Sequence, residues 1–234
     1  MTRPETRPVA LVMAKIPVTG QVKTRLAATV GPEDAARLAL AALLDTLDVC
    51  EETFGPARCY LALAGELDQL EPDRRRQLDG RFRSWHVLSQ LGRDFGDRLE
   101  RAHADVHETA AAPVVQVGMD TPHLDATVLA RVNTIAAQRR PVLGPAVDGG
   151  WWVLASTEAG DVEGLRHVPM STSTTGADTL ALLRARRRSV VLAPRMRDID
   201  DSRDAELAAR RAPHTRFAHA WRELVGTRHE GWTS

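Results

Sequence analysis

Short apolar segments with strand character alternate with helix-like segments along most of the 234-residue chain. This alternation is typical of an α/β domain with a mainly parallel sheet and helices on both faces. The predicted strands are residues 9–14, 59–64, 82–88, 113–119, 141–143, 151–155 and 189–193. Because ligands bind at the carboxyl ends of the strands in such sheets, the loops that follow these segments are the candidate binding segments.

The segments between the predicted strands have helical signals. Pro32 suits a first helical position, and an apolar stripe follows at helical spacing, formed by Leu40, Leu43, Leu44 and Leu47. One further helix is predicted to follow a glycine-rich loop at 90–97 and to end near residue 109. Others are predicted at 125–138, at 175–187 and at the C-terminus. The last one has an apolar face that we expect to dock on the body of the protein, made of Phe217, Trp221, Leu224 and Val225.

The chain has neither an internal repeat nor a linker-like segment, so we predict one domain over residues 9–225. A flexible N-terminus is predicted at 1–8 and a C-terminal tail at 226–234. The hydrophobic C-terminal helix also leaves a homodimer open. The two cysteines, Cys50 and Cys59, lack metal-ligand spacing and are expected to be reduced structural residues.

The charge balance limits the partners. Lys and Arg number 31 and Asp and Glu also number 31, so the formal net charge is zero. Non-specific nucleic-acid or anionic-membrane binding favours a basic surplus, and no segment approaches the roughly 20 apolar residues of a membrane span. The charged N-terminus does not resemble a signal peptide. We therefore expect a cytoplasmic protein with neither nucleic acid nor membrane as its partner.

The first loop concentrates unusual basic residues. Lysine occurs only at Lys15 and Lys23, and Arg25 follows the second of them. An ammonium group is a compact charge suited to phosphate oxygens, and Gly20 lets the backbone approach a ligand closely. Each contact between unit charges about 4 Å apart is worth up to ~4 kcal/mol at an effective dielectric constant near 20, before desolvation. The pattern indicates a phosphate-binding loop, with a solvated basic loop as the alternative.

Two acids follow predicted strands. Asp120 ends the strand at 113–119 in the sequence Gly-Met-Asp-Thr-Pro, and Asp148 precedes Gly149 and Gly150. Carboxylates at strand ends can bind Mg²⁺ together with water and substrate phosphates. Asp148 is a candidate second ligand or base. The alternatives are a turn-forming aspartate at 120 and a tight Asp-Gly hairpin turn at 148–149.

A run of hydroxyl side chains precedes the helix predicted at 175–187. Ser171, Thr172 and Ser173 can cap that helix, and the same arrangement offers an anion site. Without further context, capping is favoured. The glycine-rich loop 90–98, which contains Asp97, can close over a ligand.

Together these motifs resemble a family of small bacterial proteins with the GT-A nucleotide-diphospho-sugar transferase fold, some of them linked to arsenosugar biosynthesis. The resemblance covers about residues 9–204 and rests on MAKxPxxGxVKTRL, LLDT, QxGxDxGxRL, GxDTPxL, GPAxDGGWW, STS and DID. The first loop also looks like that of 2-phospholactate guanylyltransferases and molybdenum-cofactor nucleotidyltransferases. Two residues depart from the family pattern: Met170 stands where an aromatic residue is usual, and Trp151 stands where tyrosine or phenylalanine is common.

The resemblance implies roles for these residues. Nucleotide and phosphate binding would fall to Lys15, Gly20, Lys23, Thr24, Arg25, Asp97, Gly149, Gly150, Ser171, Thr172 and Ser173. Asp120, with Asp148, would hold Mg²⁺ or Mn²⁺, and Lys23 and Asp148 would be catalytic. We expect a metal-dependent transfer of a sugar from a nucleotide sugar to a small-molecule acceptor. The alternatives are a nucleotidyltransferase that releases pyrophosphate and a nucleotide-binding domain without turnover.

Overall fold

The structure of the protein is a computed structural model that describes residues 7–186 and 189–230. In this part of the chain one sheet has seven strands in the order β3-β2-β1-β4-β6-β5-β7. Their bounds are Val9–Lys15 (β1), Cys59–Ala64 (β2), His86–Ser89 (β3), Val114–Gly118 (β4), Val142–Pro145 (β5), Trp151–Ser156 (β6) and Val191–Leu192 (β7). The central strand β1 is apolar up to Lys15 and is buried on both faces, as parallel strands in α/β sheets are.

The sheet is mainly parallel, as the alternation of segments predicts. β1 pairs in parallel with β2 and β4, β2 with β3, and β5 with β7. β6 is antiparallel to both of its neighbours. Only residues 146–150 connect β5 to β6, and a connection this short cannot return the chain for parallel pairing. The predicted α/β fold class is confirmed.

Eight α-helices belong to the described residues. Their bounds are Thr24–Val30 (α1), Pro32–Phe54 (α2), Pro72–Phe82 (α3), Phe95–Ala110 (α4), Ala126–Ala137 (α5), Thr175–Arg186 (α6), Ser202–Arg211 (α7) and Arg216–Glu230 (α8). None of them is long and apolar enough to cross a membrane.

The helices form two layers on the sheet and one further cluster. On one face, α2 and α5 pack through Leu43 and Leu129 against strand residues such as Val115. On the other face, α4 and α6 pack through Leu99 and Leu183. The third cluster joins α1, α2, α7 and α8, and its buried residues include Leu26, Leu38, Ala205, Phe217 and Trp221. The apolar face of the last helix therefore docks on the body of the protein, as predicted.

Some predicted boundaries were wrong. The strand predicted at 82–88 begins only at His86, because residues 72–82 form α3, which starts at Pro72 and buries Leu78. The strand predicted at 189–193 is reduced to two residues. The last helix spans Arg216–Glu230 and so includes the first five residues of the segment predicted as a C-terminal tail. Residues 1–6, Arg187 and residues 231–234 of the predicted segments lie outside the described residues.

Candidate active site at the carboxyl ends of the strands

The loop after β1 folds back so that its basic side chains face one cleft. The Gln21 N–H donates to the Val18 carbonyl at 3.0 Å, and Gly20 permits this turn with a φ of +78°. The Lys15 Nζ, at the end of β1, donates to the Gln21 carbonyl at 2.9 Å. This bond holds Lys15 next to the turn that leads to Lys23, the second basic residue of the loop.

Lys23 occupies the centre of the cleft. Its Nζ lies 2.5 Å from Asp120 Oδ1 and 2.5 Å from the Ile199 carbonyl, and its side chain is only 10% exposed. Its backbone is left-handed, with a φ of 49° at the start of α1. A residue other than glycine in this conformation costs free energy and persists where the surroundings determine it. The two residues that the sequence predicts to act together, Lys23 and Asp120, are therefore in direct contact.

The irregular segment 194–200 runs along the same edge of the sheet. The Met196 N–H donates to the Pro145 carbonyl at 3.0 Å, and the Ile199 N–H donates to the Asp120 carbonyl at 3.2 Å. These bonds tie the segment to the ends of β5 and β4. They bring Asp198 and Asp200 to the cleft, and neither residue was among the predicted site residues.

Four aspartates consequently converge: Asp120, Asp148, Asp198 and Asp200. The pKa of Asp198 is raised to about 7, mainly because its carboxyl is buried and secondly because the negative charges of Asp120 and Asp148 lie nearby. The positive charge of Lys23 opposes this shift. Asp200 contacts the exposed Arg25 at 3.4 Å. The sequence signal that could have found Asp198 and Asp200 is the Asp-Ile-Asp triplet, in which two acids flank a residue that is buried.

The 148–150 turn is fixed by close backbone packing against the start of α6. Gly149 has a φ of +96°, and a Cβ there would collide with the Ser173 carbonyl oxygen. The Gly176 N–H donates to the Gly149 carbonyl at 2.7 Å. The Asp148 Oδ1 accepts from the Gly150 N–H at 2.9 Å. This packing positions the Asp148 carboxylate at the cleft.

The hydroxyl run at 171–175 forms the turn before α6 and also lines the cleft. The Thr175 Oγ1 donates to the Pro169 carbonyl at 2.7 Å and accepts from the Thr172 N–H at 3.1 Å. Ser171 adopts a left-handed φ of 58°. These bonds shape the turn before α6, and two of the residues of the run, Ser171 and Thr172, remain exposed toward the cleft.

The cleft has two adjoining compartments. The basic compartment, about 330 Å³, is lined by Lys15, Gln21, Val22, Lys23, Thr24 and Arg25. The aromatic compartment, about 260 Å³, is lined by Phe95, Gln116, Asp148, Trp151, Met170, Ser171 and other residues. Met119, Asp120 and Asp200 line both compartments and form the wall between them.

The predicted site residues divide between the compartments and their scaffold. Lys15, Lys23, Thr24 and Arg25 line the basic one, Asp148, Gly150, Ser171 and Thr172 line the aromatic one, and Asp120 lines both. Gly20, Gly149 and Ser173 contribute backbone geometry instead of lining atoms.

Asp97 is not brought to either compartment. Its buried carboxylate accepts from the Arg101 Nε at 3.0 Å and from the Arg93 N–H at 3.1 Å, and these two bonds lower its pKa. The structure thus gives Asp97 a part in holding the loop that precedes α4. Its predicted contact with a nucleotide has no support in this geometry.

The acidic wall fits a divalent metal only with help from a substrate. Within residues 7–186 and 189–230, no three His, Cys, Asp or Glu side chains are arranged to hold a metal by themselves. Mg²⁺ and Mn²⁺ nevertheless suit carboxylate oxygens, and Mg²⁺ is usually held by one or two carboxylates with substrate phosphates and water. Burial is the main cause of the raised pKa of Asp198, and the negative charges of Asp120 and Asp148, which a dication would offset, raise it further.

Comparison with known proteins agrees with this architecture. A family model described as "Uncharacterized protein conserved in bacteria (DUF2064)" matches residues 46–172, just over half of the chain. The chain belongs to this family. The matched stretch contains Asp120, Asp148, Ser171 and Thr172, and the resemblance found from the motifs is confirmed. No curated protein sequence matches the chain.

Solved structures share the fold at low sequence identity. A protein from Desulfovibrio desulfuricans G20, provisionally named a nucleotide-diphospho-sugar transferase, superposes with a TM-score of 0.80 at 20% identity, over 94% of this chain and 96% of that one. A cytidylyltransferase from Leptospira borgpetersenii gives 0.56 at 13% identity, over 97% and 96%. Rv0371c of Mycobacterium tuberculosis H37Rv, in complex with manganese, gives 0.50 at 17% identity, over 87% and 98%. At these identities the likeness establishes the fold.

Proposed function

We propose that this protein is a metal-dependent transferase that moves a sugar from a nucleotide-diphospho-sugar to a small acceptor. The observation that carries the proposal is the contact between Lys23 and Asp120 on the wall between the two compartments. A cation from the β1 loop and a carboxylate from the end of β4 meet where a diphosphate can reach both. The basic compartment is assigned to the diphosphate and the aromatic compartment to the group that is transferred or receives it.

The basic compartment supplies the charge that a diphosphate needs. Lys15, Lys23 and Arg25 line one cavity, and each of their charges attracts a phosphate oxygen about 4 Å away by up to ~4 kcal/mol before desolvation, at an effective dielectric constant near 20. Lys23 contributes most because it is the least exposed of the three. Fixed positive charges of this kind stabilise the negative charge that develops on a leaving phosphate.

Asp120 would hold the metal, with Asp148 as the second carboxylate. A bound Mg²⁺ or Mn²⁺ would neutralise phosphate charge and stabilise the leaving group. Lys23 now forms an ion pair with Asp120. On substrate binding its ammonium group is expected to leave this carboxylate and contact a phosphate oxygen. Asp148, which is exposed at the aromatic compartment, would also accept a proton from an acceptor hydroxyl.

The structural neighbours support transfer chemistry in general. One is provisionally named a nucleotide-diphospho-sugar transferase, one is a cytidylyltransferase, and one was crystallised with manganese. Both kinds of transferase need a nucleotide, a polyphosphate and a cationic site. The two reactions, sugar transfer and nucleotidyl transfer, can therefore be distinguished by the products that they release.

Binding measurements test the site. We expect Lys23→Met to weaken binding of UDP, GDP or another nucleoside diphosphate with Mn²⁺ by roughly 10- to 100-fold, the range expected for a charged hydrogen bond lost in a partly buried site. The same variant should bind Mn²⁺ alone more tightly, because Asp120 loses its competing ammonium partner. Asp120→Asn should lose the metal dependence of nucleotide binding. Titration calorimetry with and without Mn²⁺ measures all three effects.

Matched controls come from an exposed ion pair on α3. Arg76→Met and Asp73→Asn remove the same kinds of charge from residues that line neither compartment and should leave both affinities unchanged. If Lys23→Met and Asp120→Asn bind nucleotide with Mn²⁺ as tightly as the wild type, the proposal is wrong.

Product analysis decides the reaction. Incubation with nucleotide sugars and a panel of acceptors should release a nucleoside diphosphate. Release of pyrophosphate from a nucleoside triphosphate, in an acceptor-dependent manner, would instead identify a nucleotidyltransferase. Tight binding of Mn²⁺ and nucleotide without either product would identify a nucleotide-binding domain without turnover.

A further inference from the structure

Two consecutive tryptophans open β6, and the structure gives them different places. Trp152 is 2% exposed in the core, and its Nε1 donates to the Pro194 carbonyl at 2.8 Å. Trp151 is only half-buried and lines the aromatic compartment. Core packing does not explain a large apolar ring left partly open in a concave site, because such a ring stabilises a fold by being buried.

The indole of Trp151 is held in one orientation by α6. Its Nε1 donates to Thr179 Oγ1 at 3.2 Å. Thr179 is fully buried, and its hydroxyl uses its only proton to donate to the Thr175 carbonyl at 2.7 Å. The Thr179 oxygen is therefore oriented to accept from the indole. Because the polar edge of the ring is satisfied inside the protein, the ring surface that Trp151 offers to the cavity is carbon.

The same set of hydrogen bonds ties Trp151 to the hydroxyl wall of the compartment. The Thr175 Oγ1 donates to the Pro169 carbonyl and accepts from the Thr172 N–H. Thr172 lines the cavity together with Ser171. The start of α6 thus positions an apolar ring and two hydroxyl-bearing residues around one space. Aromatic surface combined with a few fixed polar groups is the usual composition of a small-molecule site.

The charge of the compartment restricts its ligand. Its lining contains Asp120, Asp148, Asp198 and Asp200, and among the described residues that line it there is no Lys, Arg or His. The metal proposed at Asp120 and Asp148 would be shared with the diphosphate. A further carboxylate or phosphate placed against Trp151 would lose hydration without gaining a cation from these walls. An uncharged group avoids this cost.

We infer that Trp151 is a specificity-determining residue whose indole packs against the apolar face of an uncharged sugar ring, and that Thr179 is the positioning residue that holds this indole. The C–H bonds on one face of a pyranose carry small positive charges, which suit the negative face of an aromatic ring. Ser171 and Thr172 supply hydroxyls for hydrogen bonds with those of the sugar. The inference rests on the proposed function, since it assigns the sugar of that reaction to the aromatic compartment.

Binding of free sugars to the full chain tests the inference. D-glucose, D-galactose and D-mannose are the uncharged probes, and D-glucuronate is the anionic one. Saturation-transfer NMR follows them in the presence of UDP or GDP and Mg²⁺, a diamagnetic ion that leaves the sugar signals sharp. Trp151→Leu removes the aromatic ring, and Trp151→Phe keeps a smaller one. Thr179→Val removes the acceptor of the indole N–H at nearly constant shape, and Thr179→Ser keeps that acceptor.

Thr46→Val is the matched control. Thr46 is 1% exposed on α2, and its Oγ1 donates to the Ala42 carbonyl one turn earlier at 2.9 Å, as the Oγ1 of Thr179 does to the Thr175 carbonyl. Thr46 lines neither compartment. Both valine variants therefore remove the same kind of internal helix bond, but of the two only Thr179→Val also removes the partner of the Trp151 indole.

For the wild type, we expect at least one uncharged sugar to bind more tightly than D-glucuronate, with saturation strongest at the C–H protons of one ring face. Trp151→Leu should bind that sugar roughly tenfold more weakly, the scale of one lost aromatic contact, and Trp151→Phe should lie between the two. Thr179→Val should weaken sugar binding roughly threefold, because the indole is no longer held in the bound orientation. Thr179→Ser and Thr46→Val should match the wild type in sugar binding.

The inference is overturned if the wild type binds no uncharged sugar or binds D-glucuronate as tightly, or if Trp151→Leu binds the sugar as the wild type does. It is also overturned if Thr179→Val matches the wild type, if Thr179→Ser does not restore binding, or if Thr46→Val weakens binding as much as Thr179→Val. Nucleotide binding is followed in the same samples and should not change in any variant. If a nucleoside diphosphate binds and the sugar results fail, only this inference falls, whereas a wild type that binds no nucleoside diphosphate with a divalent metal contradicts the proposed function.

Discussion

The two sides of the cleft are built in different ways. On the basic side, residues 15–25 are positioned mainly by side-chain contacts, such as the one between Lys15 and the Gln21 carbonyl. Open space surrounds Gly20, where an added Cβ would meet no atom within 4 Å. On the opposite side, the 148–150 turn is packed backbone to backbone against the start of α6, and a Cβ on Gly149 would collide with Ser173.

This difference matches the tasks that we propose for the two sides. A phosphate-binding side must let Lys23 exchange its contact with Asp120 for a contact with substrate, so room around the loop is useful. A side that selects a substrate group by shape must hold its walls still, because recognition depends on side chains and backbone fixed by their surroundings. The glycines of the two loops serve these different ends although they look alike in the sequence.

The largest expected effect comes from adding one methyl group on each side. Gly149→Ala should lower the free energy of unfolding by about 3 kcal/mol, because a left-handed alanine is combined with a backbone collision. Gly20→Ala should cost only about 1 kcal/mol, since its φ of +78° is unfavourable for alanine but the space is open. Urea denaturation followed by circular dichroism measures both changes.

Equal losses of stability in Gly149→Ala and Gly20→Ala would contradict the proposed difference in packing between the two sides of the cleft. The result would mean that the 148–150 turn relaxes away from Ser173 as easily as the basic loop moves in solvent. A further check is the Gly150→Ala variant, where the nearest atom to the added Cβ is Asp148 Oδ1 at 3.2 Å and the φ is not left-handed. This variant should be milder than Gly149→Ala.

The sequence predicts the fold well because the relevant signals are local. The apolar runs of β1 and β4 and the helical stripe of α2 follow directly from the order of residues. The basic loop and Asp120 were also found, because strand ends identify one edge of a parallel sheet. The contact between Lys23 and Asp120 could be expected from this edge alone, although the two residues are 97 positions apart.

Features that depend on irregular or non-local packing were missed. Asp198 and Asp200 reach the cleft through a segment without regular structure, held by single backbone bonds such as that from Ile199 to Asp120. Gly149 was predicted to bind the nucleotide or its phosphates, and the close approach of the Ser173 backbone to its Cα was not foreseen. Gln116 is one polar residue in an apolar strand, and its position next to the buried His103 is visible only in three dimensions.

A second prediction concerns acid stability on the aromatic side. His103 from α4 is fully buried, and burial, together with the charge of His107, lowers its pKa to about 3, while the side chain of Gln116 and the charge of Asp161 partly oppose the shift. The unfolded chain takes up this proton below about pH 6.5 and the folded chain does not. The free energy of unfolding should therefore fall by about 2 kcal/mol through this group between pH 6.5 and 5.

His103→Gln isolates this contribution. Glutamine is neutral at every pH and can still reach Ser156, so the variant should lose less stability on acidification than the wild type does over the same range. Urea denaturation at several pH values gives the two slopes. If the unfolding free energies of the wild type and His103→Gln change with pH at the same rate, His103 is protonated in the folded protein as readily as in the unfolded chain. The aromatic side would then be no more sensitive to acid than the rest of the protein.

The smallest expected effect tests whether backbone strain on the aromatic side serves binding. Ser171 has a φ of 58° and lines the compartment, while Ala111 has a φ of 50° at the C-terminal end of α4. Replacing either residue by glycine relieves a left-handed conformation and should raise the free energy of unfolding by about 0.5 kcal/mol, after the larger entropy of glycine in the unfolded chain is subtracted.

Only Ser171→Gly should also weaken the binding of an uncharged sugar, because it removes a hydroxyl and loosens one wall. If both variants leave sugar binding unchanged, the strain at Ser171 is an ordinary consequence of the turn before α6, and the rigidity of this side comes from the Gly149 packing alone.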